Sequence, residues 1–179
     1  MRKSYAIGPA QRWIHIGDTA GTTETADPEA FRQVSTELSH LVPVADIQMS
    51  DSAAVHLLLY QGGKLIDKFG NADFPFFKFK AQSEAAEWLG KPQRWGEYLV
   101  SEASIEELRD AWVQDWNADG ILAETSRLLG WHPDLIFVGY TQDDEGIPLK
   151  YDEYLAYVEA EVDLKQMTEL HFIEPDKDV

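Results

Sequence analysis

Residues 53–69 have the sequence AAVHLLLYQGGKLIDKF, and this stretch decides the fold. Residues 55–60 are apolar on both faces apart from one histidine, a pattern typical of a central strand that is covered on both sides. The Gln-Gly-Gly sequence at 61–63 favours the tight turn of a hairpin, and residues 64–69 follow as its second strand. Together with residues 44–49, the stretch predicts a three-stranded antiparallel meander over about 44–69.

Three helices are predicted around this meander, at about 28–41, 104–116 and 120–129. Asp27 and Pro28 suit a helix start, because Asp can cap the first turn and Pro fits its first position. Ser104 and Glu107 have the spacing of a capping box, and Gly130 is a typical helix stop. Further elements are expected as strands near 12–17, 135–140 and 169–173 and as a helix near 151–161. Because strands come mainly first and helices cluster in the middle, the pattern favours an α+β fold.

The charge balance is the main anomaly of the composition. The chain has 32 Asp and Glu residues against 15 Lys and Arg residues, which gives a formal charge of −17. More than half of this excess lies in residues 141–179, which hold 12 acidic and three basic residues. Such a field attracts basic proteins and divalent cations, and it repels the phosphates of nucleic acid and of anionic membranes. We therefore expect a basic protein partner, no nucleic-acid binding and no membrane binding.

The absence of cysteine excludes several kinds of site, namely disulfides, thiolate zinc sites, iron–sulfur clusters and cysteine nucleophiles. No apolar run is long enough to cross a bilayer, and the two basic residues near the start are not followed by the apolar segment of a secretory leader. We therefore expect a cytoplasmic protein. A length of 179 residues suits one α+β domain that spans residues 1–179.

Residues 115–120, Asp-Trp-Asn-Ala-Asp-Gly, resemble the first half of an EF-hand calcium loop. Calcium takes several hard oxygen ligands from a tight turn, so the resemblance implies a calcium-binding module with Asp115, Asn117 and Asp119 as ligands. The twelfth position of such a loop carries a bidentate Glu, whereas here it is Ser126. The alternative is an acidic turn between two helices, with Asn117 or Asp119 capping the second. No cofactor other than calcium is expected.

A small-ligand-binding protein or hydrolase-type enzyme is an alternative function. The histidines His15, His56, His132 and His171 are scattered along the chain, and a site assembled from separated His and acidic residues is conceivable. The motifs G-x-S-x-G, H-E-x-x-H and S-x-x-K, which would support such a site, do not occur in the sequence. His56 lies in the most apolar strand, which favours a hydrogen-bonded core residue. No catalytic residue is therefore assigned.

An acidic protein-binding module is the function that the composition favours. In composition the chain resembles small inhibitors that neutralise a basic toxin or nuclease, including bacterial immunity proteins. Clustered acidic residues would steer a basic partner, and neighbouring tyrosines would anchor it. The predicted partner-binding residues are Asp143, Asp144, Glu145, Tyr151, Asp152, Glu153, Tyr154 and Tyr157.

Overall fold

The computed structural model describes residues 4–10, 13–18, 28–50, 54–71, 87–114, 117–132 and 168–170. The strands in this part of the chain are β1 (Ser4–Ala10), β2 (Trp13–Asp18), β3 (Val44–Ser50), β4 (Ala54–Gln61), β5 (Lys64–Gly70) and β6 (Thr168–Leu170). The helices are α1 (Pro28–Leu38), α2 (Ile105–Val113) and α3 (Ala118–Leu129), with short 3₁₀ turns at Pro92–Arg94 and Gly96–Tyr98. The elements belong to two units, residues 27–130 and residues 1–26 with 131–179.

The predicted meander is confirmed. β4 lies between β3 and β5, and both neighbours run antiparallel to it. Leu57, Leu58 and Leu59 are at most 2% exposed, as expected for a central strand that is covered on both sides. The turn between β4 and β5 contains Gly62 and Gly63, whose φ angles of 59° and 75° lie in the left-handed region that glycine adopts without strain. The two glycines therefore permit the tight connection that the sequence predicts.

Ser39 ties the end of α1 to this hairpin turn. The Gly62 N–H donates to the Ser39 carbonyl oxygen at 2.7 Å, and the Gly63 N–H donates to Ser39 Oγ at 3.0 Å. The α-helix ends at Leu38, three residues before the predicted end, because Ser39 and the residues after it turn toward the hairpin. Leu41, at the end of the predicted helix, is 83% exposed.

The predicted capping features are found at the start of α2 and at both ends of α3. Ser104 Oγ accepts a hydrogen bond from the Glu107 N–H at 3.2 Å, and the Glu107 carboxylate accepts one from the Ser104 N–H at 2.8 Å. α3 begins two residues earlier than predicted, because Asn117 caps it, and it ends before Gly130 in the left-handed conformation. α2 ends at Val113, about three residues before its predicted end near 116, because Gln114 already has extended backbone.

The core of this unit lies between one face of the meander and helices α2 and α3. The Trp112 ring stacks on Phe69 with ring centroids 4.4 Å apart, and it meets Trp95 edge-on at 5.7 Å. Trp112 Nε1 also donates to Thr125 Oγ1 at 3.1 Å, which satisfies the indole N–H inside the core. The other fully buried side chains on the helices include Leu108, Ile121, Leu122, Leu128 and Leu129.

The second unit contains a separate antiparallel sheet with the strand order β2-β1-β6. β2 confirms the strand predicted near residues 12–17, and β6 overlaps the strand predicted near 169–173. β1 has no counterpart in the prediction, since residues 4–10 contain Gly8 and Pro9 and show little alternation. The Trp13 ring meets Trp131 edge-on with centroids 5.8 Å apart. The strand near 135–140 and the helix near 151–161 lie outside the described residues.

The α+β class is confirmed by the meander and the three helices that accompany it. The assignment of residues 1–179 to one domain stays a prediction. Within the ranges that the structure describes, no helix has the length and apolar character needed to cross a membrane.

Candidate functional site

The predicted partner-binding residues lie outside the part of the chain that the structure describes. They are Asp143, Asp144, Glu145, Tyr151, Asp152, Glu153, Tyr154 and Tyr157. Their role therefore stays a prediction from composition and spacing.

The predicted calcium loop is described in part, because Asp115 lies outside the described residues. Asn117 is the N-cap of α3, and its Oδ1 accepts a hydrogen bond from the Gly120 N–H at 2.9 Å. Asp119 is half-buried in the first turn of the helix. Asn117 thus performs the capping role that the alternative of an acidic turn requires. Among the described residues, no three His, Asp or Glu side chains are grouped as metal ligands would be.

We expect Asn117→Ala to lower the free energy of unfolding by about 1 kcal/mol, because α3 loses its N-cap hydrogen bond. Urea unfolding followed by circular dichroism measures this change. The loss should be equal in calcium and in chelator, since a cap needs no ion. A loss that occurs only with calcium present would instead assign the loop to calcium binding, because a ligand that binds the native state raises its stability.

The face of the meander that meets α1 carries several polar side chains. Neighbouring strands pair Gln48 with His56 and Lys68 with Leu58, and alternate residues of a strand share a face. Asp46, Gln48, His56, Tyr60 and Lys68 therefore lie on one face, which we call the polar face. His56 and Tyr60 are only 6% and 5% exposed. Because burying polar groups costs free energy unless they are hydrogen-bonded, this face is a candidate functional site.

Asp46 is held on the polar face by two side chains. Ser35 Oγ of α1 donates a hydrogen bond to Asp46 Oδ2 at 3.3 Å, and Gln48 Nε2 donates to Oδ1 at 3.4 Å. Burial raises the pKa of Asp46 above its ordinary value, while these hydrogen bonds and the charge of Arg32 oppose the rise. Burial also raises the pKa of Tyr60, and the Asp46 carboxylate adds to that effect. The polar face therefore disfavours additional negative charge.

His56 is a neutral, buried imidazole at the centre of β4. Burial lowers the pKa of His56 to about 4, and the positive charge of Arg32 is the second cause. The imidazole lies against the Trp88 ring, with centroids 4.4 Å apart and the ring planes inclined by 31°. Lys68 Nζ lies 4.9 Å from the Trp88 ring centroid and 2.9 Å from the Glu87 carboxylate. A neutral His and an acid with a raised pKa thus share one face of the meander.

The other histidines do not test that alternative. The side chains of His15 and His171 lie outside the described part of the chain, and His132 is half-buried beside Trp131. The sequence reasoning missed Asp46 as a site residue. The signal for it is the alternation of polar and apolar residues at 44–48, which places Asp46 on the face of His56 once the strand pairing is known.

Asp67 is a buried acid on the opposite, apolar face of the meander, and it is only 7% exposed. Its Oδ2 accepts two hydrogen bonds, from Trp95 Nε1 at 2.9 Å and from the Lys91 N–H at 2.7 Å. Charge-assisted hydrogen bonds of this kind are stronger than neutral ones. Asp67 therefore fastens the segment before α2 to the edge of β5, which is a structural role.

The surface around α2 is acidic. Glu102, Glu106 and Asp110 are exposed, and Arg109 lies 3.8 Å from Glu106. Among the described residues, no Lys or Arg nitrogen comes within ion-pair distance of Glu102 or Asp110. Part of the negative charge of the chain thus remains on this surface without a compensating cation from the described residues.

Comparison with protein-family models, with curated proteins and with solved structures gave no match to this chain. Its function is therefore inferred from its charge and from the geometry described above.

Proposed function

We propose that this chain is an acidic protein that binds a basic protein partner, as an inhibitor or immunity-type protein that neutralises a toxin or nuclease. The formal charge of −17 carries this proposal, together with the concentration of the excess in residues 141–179. A field of this size steers a basic protein toward the surface and raises the rate of association. It also opposes binding to nucleic acid and to anionic membranes.

The exposed acids around α2 support this proposal. Glu102 and Asp110 face solvent, so their charge contributes to the field that an approaching partner meets. Exposed charges act over about 10 Å at an ionic strength of 0.1 M, so the attraction should weaken as salt is added. The α2 surface therefore contributes to steering at long range, while close contact is assigned to the predicted residues at 143–157.

Within residues 143–157, the acids and the tyrosines have different roles. The acids Asp143, Asp144, Glu145, Asp152 and Glu153 supply the charge that sets the rate of association. Tyr151, Tyr154 and Tyr157 supply large rings with a polar tip, which are favoured as interface anchors and mainly determine how slowly a complex dissociates. Acids and aromatic anchors close together in the sequence are the combination that a tight inhibitor of a basic enzyme needs.

We expect the triple variant Asp143→Lys, Asp144→Lys and Glu145→Lys to associate with the partner about tenfold more slowly than the wild-type chain, because steering charge near the contact surface is reversed. The partner is first identified by affinity capture and purified. Stopped-flow measurement of the association rate constant at several salt concentrations then compares the two chains. The variant should also show a weaker dependence of this rate on salt.

The matched control reverses three exposed acids elsewhere, by Glu37→Lys, Glu102→Lys and Asp110→Lys. Both triple variants change the formal charge from −17 to −11, so only the position of the charge differs. The control should associate less than about threefold more slowly than the wild-type chain, because it leaves unchanged the acids that the proposal assigns to the contact surface, and salt screens exposed charges outside that surface. Equal slowing in both variants would contradict the contact surface at 143–145. An unchanged rate in both would contradict electrostatic binding itself.

A further inference from the structure

Residues 87–90 lie along the edge of β5 that does not pair with β4, and we call them the latch segment. The Gly70 N–H donates to the Trp88 carbonyl oxygen at 2.9 Å, and Leu89 forms an antiparallel bridge with Phe69. Lys68 Nζ donates to the Glu87 carboxylate at 2.9 Å. The latch segment is thus held to the edge of β5 by an isolated bridge, one backbone hydrogen bond and one ion pair.

The side chain of His56 packs against the latch segment. Its ring lies against Trp88 at a centroid distance of 4.4 Å, and it is paired across the sheet with Gly70. A Cβ atom on Gly70 would come within 2.8 Å of His56 Cδ2 and 3.3 Å of Trp88 Cε3. Glycine at this position therefore makes room for the two rings to meet over β5.

Among the described residues, the titratable side chains on the face of His56 are Asp46 of β3, Tyr60 of β4 and Lys68 of β5. Arg32 of α1 acts on the imidazole through its charge, and Glu87 of the latch segment pairs with Lys68. Glu87 is engaged by Lys68, and Asp46 is engaged by Ser35 and Gln48. Among these groups, the positive charge of Arg32 acts on the imidazole and repels a proton there. The closed structure therefore favours the neutral ring.

We propose that His56 makes residues 87–90 an acid-sensitive latch, which separates from the edge of β5 when the imidazole takes up a proton. Opening lets the charged ring reach water and leaves the Gly70 N–H exposed at the sheet edge. The Lys91 N–H remains fastened to Asp67 at 2.7 Å, so the opening ends there. Gly90, with a φ of 69°, is the last residue of the latch segment and comes directly before this anchor. This inference does not depend on the proposed partner.

The direction of the pH effect follows from the two pKa values of His56, about 4 in the closed structure and 6.5 for an exposed imidazole. The closed state keeps its full stability above the exposed value, and it loses stability as the pH falls from 6.5 toward 4. Interaction with Lys68 lowers the pKa of Glu87 below its ordinary 4.5, so this ion pair persists at pH 5. The Glu87–Lys68 ion pair therefore does not account for a change between pH 7 and pH 5, and the His56→Gln variant separates the effect of His56 from that of Asp46, whose pKa burial raises.

Amide hydrogen exchange measured by NMR tests the latch, with rates corrected for the pH dependence of intrinsic exchange. Between pH 7 and pH 5, we expect the protection factor of the Gly70 amide to fall about 20-fold, which is the ratio that the two pKa values of His56 require. The Leu122 amide in α3 should keep its protection, because the core beneath α3 is not opened. His56→Gln should remove the pH dependence at Gly70, whereas His40→Gln, which changes an exposed histidine, should preserve it.

Three results would overturn the latch. The first is an unchanged Gly70 protection factor, and the second is an equal fall at Gly70 and Leu122, which would mean that the whole unit opens. The third is a persistent pH dependence in His56→Gln. If that variant does not fold, the imidazole of His56 is titrated by NMR in the wild-type chain. A midpoint near 4 supports the proposal, and a midpoint above about 6 overturns it, because closure would then not oppose protonation.

Discussion

Trp112→Ala is expected to lower the free energy of unfolding by about 4 kcal/mol, the cost of truncating a large buried aromatic ring. The ring stacks on Phe69 at 4.4 Å, meets Trp95 edge-on at 5.7 Å and is only 6% exposed. Its loss leaves a cavity where β5, α2 and the segment before α2 meet. Urea unfolding at neutral pH, followed by circular dichroism, measures the change.

Trp112→Phe is the matched control for this variant. Phe keeps a ring against Phe69 and removes the hydrogen bond from Trp112 Nε1 to Thr125 Oγ1. We expect it to cost about 1–2 kcal/mol, since it loses one buried hydrogen bond and part of the ring volume. A loss below about 1 kcal/mol for Trp112→Ala would contradict the central place of this ring in the core.

Asp67→Ala is expected to lower the free energy of unfolding by about 3 kcal/mol. The substitution removes the acceptor of two charge-assisted hydrogen bonds inside the unit, from Trp95 Nε1 and from the Lys91 N–H. Asp67 fastens chain segments that are far apart in sequence, so its loss should also loosen residues 91–95. Urea unfolding gives the free energy, and amide exchange at Lys91 reports the local loosening.

Asp67→Asn separates the hydrogen bonds from the charge. Its amide oxygen has the shape to accept the same bonds, so we expect it to cost about half as much as Asp67→Ala. If Asp67→Asn is as costly as Asp67→Ala, the negative charge matters more than the acceptor geometry. If Asp67→Ala lies within about 0.5 kcal/mol of the wild-type chain, the buried bonds do not stabilise this unit as described.

Local patterns in the sequence predict the meander and the helices well. Residues 55–60 are apolar on both faces, and β4 is the buried central strand. The capping box of Ser104 and Glu107 and the stop at Gly130 depend only on neighbouring residues, and all are found at α2 and α3. Helices and strands are therefore predictable where neighbouring residues determine their start, end and periodicity.

The structure differs from the predictions where residues far apart in the sequence determine the local conformation. Leu41 fits the apolar period of α1, yet Ser39 is bound to the turn at Gly62 and Gly63 and the chain leaves the helix there. The hydrogen bond between Asp67 and Trp95 joins residues 28 positions apart, and no local sequence pattern predicts it. Contacts of this kind depend on how strands pair and on which faces meet.

The same distinction between local patterns and long-range contacts applies to the candidate site. His56 is correctly predicted to lie in the core, because its neighbours in β4 are apolar. Asp46 and Trp88 become its neighbours only through strand pairing and through the latch segment, so spacing along the chain does not reveal them. The predicted contact residues at 143–157 rest on composition, and their role is a matter for experiment.

Affinity capture from a lysate of the native host, at low and at high salt, tests the proposed binding of a basic partner most directly. Wild-type chain and the Asp143→Lys, Asp144→Lys, Glu145→Lys variant serve as the two baits, and mass spectrometry identifies what each retains. We predict one basic protein that the wild-type chain retains at low salt, that high salt weakens and that the variant loses. Retention of no protein at either salt, or of a partner indifferent to both salt and charge reversal, would contradict the acidic binder and direct attention to a small ligand at the polar face.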